Sequence, residues 1–312
     1  MVTSMKVHES WRYNYRQRRY LQHASSDEIK QRLQDLMDNM CDFNADGKVA
    51  MKSLNEEGKW TVLFTHVLEE LDLRGESARP ELLQGGHFDG RRYVNCKRAA
   101  ELWRGHDLSI GTYLLKFSKL KYLRPLLNVG SLRIAPASYY RDPSLNFSIR
   151  DSELEFTEEL YGAKVHHPPN GDYSVPQDQW IEMPIIGNVK STLRSDSDYY
   201  IACFSSSYEY RLYDDFEAEA CLVIKDIGRF ANSLKSRTEE VLPGWTSSFG
   251  GVDYRDPYYP NRNMNIFFGK HFRYAYQKEF RFVWEPPTKR ESLKPIHVEL
   301  GPLKEYCELL GL

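Results

Sequence analysis

The sequence predicts an α+β protein, with a helical N-terminal domain over residues 1–108 and a strand-rich domain over 109–312. Three observations carry that division. Apolar side chains in the first hundred residues recur at helical spacing. After Gly111 the texture changes to short apolar or alternating runs punctuated by Gly, Pro and Asn. The 21 tyrosines and 15 phenylalanines favour pleated, aromatic surfaces. With 312 residues, 41% of them hydrophobic, the chain can bury one large core or two smaller ones.

The elements follow in order. Ser25 and Glu28 form a capping box, and Ile29, Leu33, Leu36, Met37 and Met40 continue at helical spacing. A second helix carries Trp60, Leu63, Phe64, Val67, Leu68 and Leu71 on one face and stops near Gly75. A third spans 96–103 and ends at Gly105, and Pro80, Gly85, Gly86 and Gly90 mark the loop before it. Beyond Gly111, 113–117 reads as a strand and 121–129 as a short helix. Gly130 closes that helix, and Pro125 sits within its first turn. Further strands are expected at 132–134, 199–204, 220–224, 279–284 and 296–300. The stretches 161–198 and 242–265 read as long irregular excursions.

Composition narrows the class. The net charge is −2, so contact with nucleic acid requires a local basic patch. Five scattered cysteines, at 41, 96, 203, 221 and 307, argue against a disulfide framework, and no Cys-x-x-Cys is present for zinc. A reducing cytoplasmic location fits this usage. No apolar run reaches the roughly 18 residues of a membrane span, so no membrane partner is expected. Neither a phosphate-binding Gly-x-x-x-x-Gly-Lys loop nor a Gly-x-Ser-x-Gly elbow is present.

Several motifs invite a chemical reading. Asp42-Phe43-Asn44-Ala45-Asp46-Gly47 imitates the start of a calcium loop, but Ser53 stands where the bidentate Glu belongs, so a turn between two helices is expected. The adjacent pair His166 and His167 would point apart in a strand, and no metal site is expected there. Residues 11–20 interleave Arg12, Arg16, Arg18 and Arg19 with aromatics. Such an arm can hold phosphates and stack on bases, or be a solvated segment or a docking strip for a protein.

The C-terminal Gln277-Lys278-Glu279 is the sharpest signal. It precedes the alternating Phe280, Phe282 and Trp284, and strand alternation would put Gln277 and Glu279 on one side. A carboxylate at that junction suits cleavage of an N-glycosidic bond: it can hold a ribose hydroxyl and stabilise an oxocarbenium-like centre. Its alternative role is a strand-end ion pair with Arg281 or Lys270.

Three further segments bear on this choice. They are the strand–helix–Gly run through Lys116 to Gly130, the strand ending Cys203-Phe204-Ser205-Ser206-Ser207, and Tyr139-Tyr140-Arg141-Asp142-Pro143 with Asp151-Ser152-Glu153 after it. In that order, with Gln277 and Glu279 last, they resemble the ADP-ribosyltransferase fold. The resemblance covers roughly 110–300. It is similar in layout to DarT-like nucleic-acid ADP-ribosyltransferases. It also resembles an uncharacterised bacterial family with Asp-Pro, Cys-Phe-Ser, a late Lys and Glu-x-x-Arg, here Lys270 and, with one residue fewer between Glu and Arg, Glu279-Phe280-Arg281.

The resemblance implies a split mixed β-sheet and an NAD-dependent transferase that needs no metal. It implies catalysis by Glu279, with Gln277 orienting the acceptor. The NAD-binding set it implies is Lys116, Ser205, Ser207, Tyr139, Tyr140, Asp142 and Lys270. Lys116 stands where that family has Arg or His, and Ser-Ser-Ser replaces Ser-Thr-Ser. A toxin or phage-defence effector acting on RNA or DNA follows, with an antitoxin or chaperone as possible protein partner. Arg12, Arg16, Arg18 and Arg19 would meet the acceptor or that partner. The reading from another class is a fold without catalysis that serves as a binding or sensor module.

Overall fold

The computed structural model describes residues 6–76 except 45, 47 and 53, then 93–106, 112–161, 164–167, 169, 174–179, 181–184, 188–258 and 264–312. Helices α1 (Val7–Arg18) and α2 (Ser26–Met40) open the chain. The Ser25 hydroxyl accepts from the Glu28 amide and Glu28 returns the bond, so the expected capping box is formed. A hairpin of β1 (Cys41–Phe43) and β2 (Val49–Met51) follows, and then α3 (Leu54–Leu73). The calcium-like segment is thus a β-hairpin rather than a simple inter-helix turn. The Asn44 side-chain oxygen accepts from the amides of Asp46 and Lys48 within it.

Helix α4 (Cys96–Leu102) precedes β3 (Leu114–Ser118), α5 (Leu120–Val129), β4 (Ser131–Pro136) and a 3₁₀ turn, Ala137–Arg141. Strands β5 (Glu155–Tyr161), β6 (Lys164–His167), β7 (Ile181–Pro184) and β8 (Asn188–Arg194) pair as two ribbons, β5 with β8 and β6 with β7. Then come β9 (Tyr200–Ser205), α6 (Leu212–Asp215), β10 (Ala220–Ile224), α7 (Ile227–Val241), β11 (Thr246–Gly251), β12 (Asp253–Arg255) and β13 (Gly269–His271). A second 3₁₀ turn, Phe272–Gln277, leads into β14 (Glu279–Glu285), and β15 (Ile296–Glu299) and β16 (Cys307–Gly311) end the chain. The two stretches expected to be irregular therefore hold β6 to β8 and β11 to β12.

The main sheet has eight strands in the order β11-β14-β9-β3-β10-β16, with β4 also on β9 and β15 on β4. Its pairings are antiparallel, so it is not the mixed sheet expected. Among the described strands the parallel pair is β12 with β13, outside this sheet. The sheet splits beside β9. At one end Ser205 pairs with Leu115 of β3; at the other Tyr200 and Ile201 pair with Pro136 and Ala135 of β4. Helix α5 bridges the two branches. Its Leu123 and Leu126 join Phe230 and Leu234 of α7 over Ala202, Phe204, Leu222, Phe282 and Trp284. Gly130 ends α5 with φ 77°, and a Cβ there would lie 2.2 Å from the Gly301 carbonyl oxygen, so both conformation and space require glycine.

The expected domain boundary at 108 lies outside the described residues. The helical layer packs on the turn before β14: Tyr15, Ile29, Leu33, Leu36 and Trp60 form one core cluster with Phe272 and Ala275. Among the described residues no helix is long and apolar enough to cross a membrane.

Candidate active site

Alternation along β14 sends Phe282 and Trp284 into the core under α7 and turns Glu279, Arg281 and Val283 to the opposite face. Burying Phe282 and Trp284 contributes about 1.5–3 kcal/mol each, which fixes the strand's register. On β9, Ser205 lies opposite Glu279 and Cys203 opposite Arg281. A charged face so buried requires partners. Glu279 Oε1 accepts from Arg281 Nε at 2.6 Å, and Oε2 accepts from Lys270 Nζ at 2.8 Å. Arg281 also reaches Glu153 Oε2 at 2.7 Å and donates to the Phe267 carbonyl at 3.0 Å. Lys270 lies 3.7 Å from Glu153 and 3.9 Å from Asp151.

Three carboxylates thus share two cations. Burial works to raise Glu279, but Arg281 and Lys270 outweigh it and hold that carboxyl well below the ordinary range. Burial pushes Glu153 up, and the same two cations offset this only in part. Glu279 is therefore the more acidic of the two and Glu153 the more readily protonated.

Gln277 and Glu279 do converge, but not by strand alternation. Gln277 ends the 3₁₀ turn, and Lys278 adopts left-handed backbone (φ 44°, ψ 51°) before β14 begins. The two side chains meet on one amine: Lys270 Nζ also donates to Gln277 Oε1 at 3.4 Å. Gln277 Nε2 donates to the Ser148 carbonyl at 2.7 Å, which fixes the amide's orientation.

Lys116 reaches into the split. Its Nζ donates to the Cys203 carbonyl at 2.7 Å, over the Phe204 ring. That carbonyl lies on the stretch of β9 between its pairings with β3 and β4, so the amine satisfies an acceptor the sheet leaves open. Burial pulls the Lys116 pKa down, and Arg133 adds to the effect.

The split opens into a cavity of about 1090 Å³. Lys116, Lys119, Lys121 and Arg133 line it from β3, α5 and β4; Glu153, Lys270, Gln277 and Glu279 line it from the charged cluster. Tyr139 and Tyr140 add aromatic wall, edge to face at 5.6 Å, and the Arg133 guanidinium stands 4.6 Å from the Tyr139 ring centre.

Of the residues singled out in the sequence, Lys116, Tyr139, Tyr140, Ser205, Lys270, Gln277 and Glu279 line this one cavity. Ser205 is turned inward. Its single hydroxyl proton is shared between the carbonyls of Ser207, at 2.7 Å, and Gln277, at 2.6 Å. Ser207 and Asp142 are not among the lining residues. Ser207 supplies a carbonyl to Ser205, and exposed Asp142 accepts from the Ser144 amide at 2.9 Å, so both are turn-forming residues. Arg133, Lys119, Lys121 and Glu153 were not assigned a role from sequence. Arg133 had a signal: it alternates with Leu132 and Ile134, both of which enter the core.

The basic aromatic segment is not an arm. It is α1, lying along α3. Arg12 bonds Glu69 at 3.0 Å and Asp72 at 2.9 Å, Arg16 pairs with Glu69, and Arg19 lies 3.0 Å from Glu70. Tyr15 and Tyr20 are buried beside His66 rather than offered to bases. Arg18 stands exposed at the end of the helix. The acidic face of α3 thus meets Arg12, Arg16 and Arg19, charges expected to face an acceptor. Comparison with known proteins finds no family model, no curated protein and no solved structure that matches the chain.

Proposed function

We propose that the chain is an NAD-dependent ADP-ribosyltransferase whose NAD substrate enters the split of the sheet. The observation that carries this reading is that Lys116 and Glu279, whose carboxyl is held well below the ordinary range, line one cavity together with Tyr139 and Tyr140. That lining suits a ligand with an anionic part and a ribose bearing an aromatic leaving group. Lys116, Lys119 and Lys121 serve a diphosphate as point charges, and Arg133 can offer a bidentate fork. The tyrosines can stack on nicotinamide. Glu279 accepts from a ribose hydroxyl and stabilises the positive charge that grows as the C–N bond to nicotinamide breaks. The bonding pair leaves with nicotinamide, the acceptor adds to the ribose carbon, and its proton passes to solvent. Gln277 orients that acceptor. The break in the sheet beside β9 supports an ADP-ribosyltransferase-like arrangement.

RNA or DNA is the acceptor we favour, met at the cavity rather than along α1. A toxin-like or phage-defence role, with an antitoxin or chaperone as protein partner, goes with that acceptor. The second reading is a module that binds without turnover. It is favoured by one observation: both Glu279 oxygens already take charged partners. Incubation with NAD labelled on its adenylate half, with separate RNA, DNA and protein pools, tests both. Release of nicotinamide with label in one pool supports the transferase. Binding of NAD without either sinks it in favour of the module, and no binding leaves only a module that docks a protein partner.

A further inference from the structure

The N-terminal helices are tied to the turn that delivers Gln277 and Glu279. Asn39, fully buried in the last turn of α2, makes the tie. Its Nδ2 donates to the Phe272 carbonyl at 2.9 Å, and its Oδ1 accepts from the Tyr276 amide at 2.8 Å. Those two groups sit at opposite ends of the 3₁₀ turn Phe272–Gln277. One side-chain amide therefore fixes the whole turn, and only a group with both a donor and an acceptor can do so. A second bond from Nδ2 to the Asp35 carbonyl, also 2.9 Å, locks the amide's own rotamer. The flanking contacts come from the same helix or lead back to it. The Arg32 guanidinium lies 5.2 Å from the Phe272 ring centre and pairs with Asp256. Arg211, 3.9 Å from the Tyr276 ring centre, donates to the Asp38 carbonyl at 3.0 Å.

We infer that Asn39 is a positioning residue for the cavity: it holds the turn so that Gln277 and Glu279 both meet the Lys270 amine. The helical layer is then a structural part of the site rather than an appended domain. The inference concerns geometry and holds for any ligand of the cavity; only the kinetic arm below rests on the transferase reading.

The test compares Asn39→Ala and Asn39→Asp with Leu36→Ala, which loosens the apolar packing shared with the turn but removes no hydrogen bond to it. The probe is acylation of Lys270 by acetic anhydride, followed by peptide mass spectrometry. In the native protein that amine is buried and held protonated beside Glu279. Loss of a buried hydrogen-bonded clamp should raise Lys270 labelling at least about tenfold in both Asn39 variants, at a temperature where all are folded. Leu36→Ala should lower the melting temperature and leave Lys270 protected. Labelling within about twofold of wild type in the Asn39 variants, or equal deprotection in Leu36→Ala, would overturn the inference. If the Asn39 variants do not fold, amide exchange in the wild type decides: Tyr276 should exchange as slowly as the core of β14, and rapid exchange would refute the clamp. In NAD turnover, Asn39→Asp should lower kcat about tenfold with little change in KM. A wild type that turns over no NAD ends the transferase reading and leaves the labelling result standing.

Discussion

Glu279→Gln separates charge from shape at the centre of the cavity. The carboxylate takes one cation on each oxygen, Arg281 at 2.6 Å and Lys270 at 2.8 Å. The amide keeps one acceptor oxygen and gains a donor, so it can serve one of those cations but not both. The cation it drops is not orphaned, because Glu153 lies 2.7 Å from Arg281 and 3.7 Å from Lys270. The network changes from three carboxylates against two cations to two against two. The folding cost should therefore be about 1–3 kcal/mol, the scale of one strained buried bond. It should not reach the roughly 3–5 kcal/mol of an isolated buried pair left half broken. Against a typical total of about 5–15 kcal/mol the variant stays folded. Catalysis should suffer more: removing the group that stabilises the developing cation should cost about 10²–10³ in kcat. The assay is nicotinamide release, run beside a thermal melt. A folded variant that keeps NAD turnover within a few-fold of wild type would refute the assignment of Glu279.

Three further outcomes follow from the same geometry. Lys116→Ala should raise KM for NAD about tenfold with kcat less affected, since the amine meets a part of the substrate that does not react; an unchanged KM removes it from the site. Neutralising Arg16, Arg18 and Arg19 together should lower thermal stability, because buried Glu69 loses Arg16 and buried Glu70 loses Arg19. The salt dependence of any nucleic-acid binding should not change in that triple variant, and a flattened salt slope would restore the arm as an acceptor surface. Asp38 is pushed up to about 7 by burial, which Arg211 offsets only in part. Its folded pKa lies above the unfolded one, so its contribution to stability is full below about pH 4 and is lost as pH rises through about 7. Asp38→Asn, neutral throughout, should gain more on wild type in melting temperature at about pH 8 than at about pH 5; parallel curves would contradict this.

Periodicity and punctuation made much of the fold legible. Helices α2 and α3 and strand β14 carry apolar patterns that a single face explains, β3, β9 and β10 read as short apolar runs buried on both faces, and Gly130 announced the end of α5. Other elements were hidden for physical reasons. Thr246-Ser-Ser-Phe-Gly-Gly of β11 reads as a loop, because an edge strand needs no apolar face. Helix α7 did have a signal, an Asp226 cap followed by Phe230, Leu234 and Thr238 at helical spacing. Helix α1 hid because its partners are acids on α3, which no local pattern reveals.

The site was legible in its identities and not in its wiring. Lys270, Gln277 and Glu279 stand close in sequence, but Glu153 and Lys116 reach the same cavity from distant strands and turns. Asn39 had no local signal at all. It extends a row of buried polar residues, Arg32, Asp35 and Asp38, beside the apolar stripe of α2. A polar row of that kind looks solvated until the element that covers it is known.

The central claim is that NAD occupies the split of the sheet with its reactive ribose at Glu279. A crystal structure of the Glu279→Gln protein grown with NAD tests it most directly, because the variant should bind without turnover. The account predicts the dinucleotide in the cavity between β3 and β4. Its ribose hydroxyl should lie about 3 Å from the side chain at position 279, and its diphosphate should lie against Lys116 and Arg133. An empty cavity at saturating NAD, or NAD bound with its nicotinamide ribose away from that side chain, would contradict it.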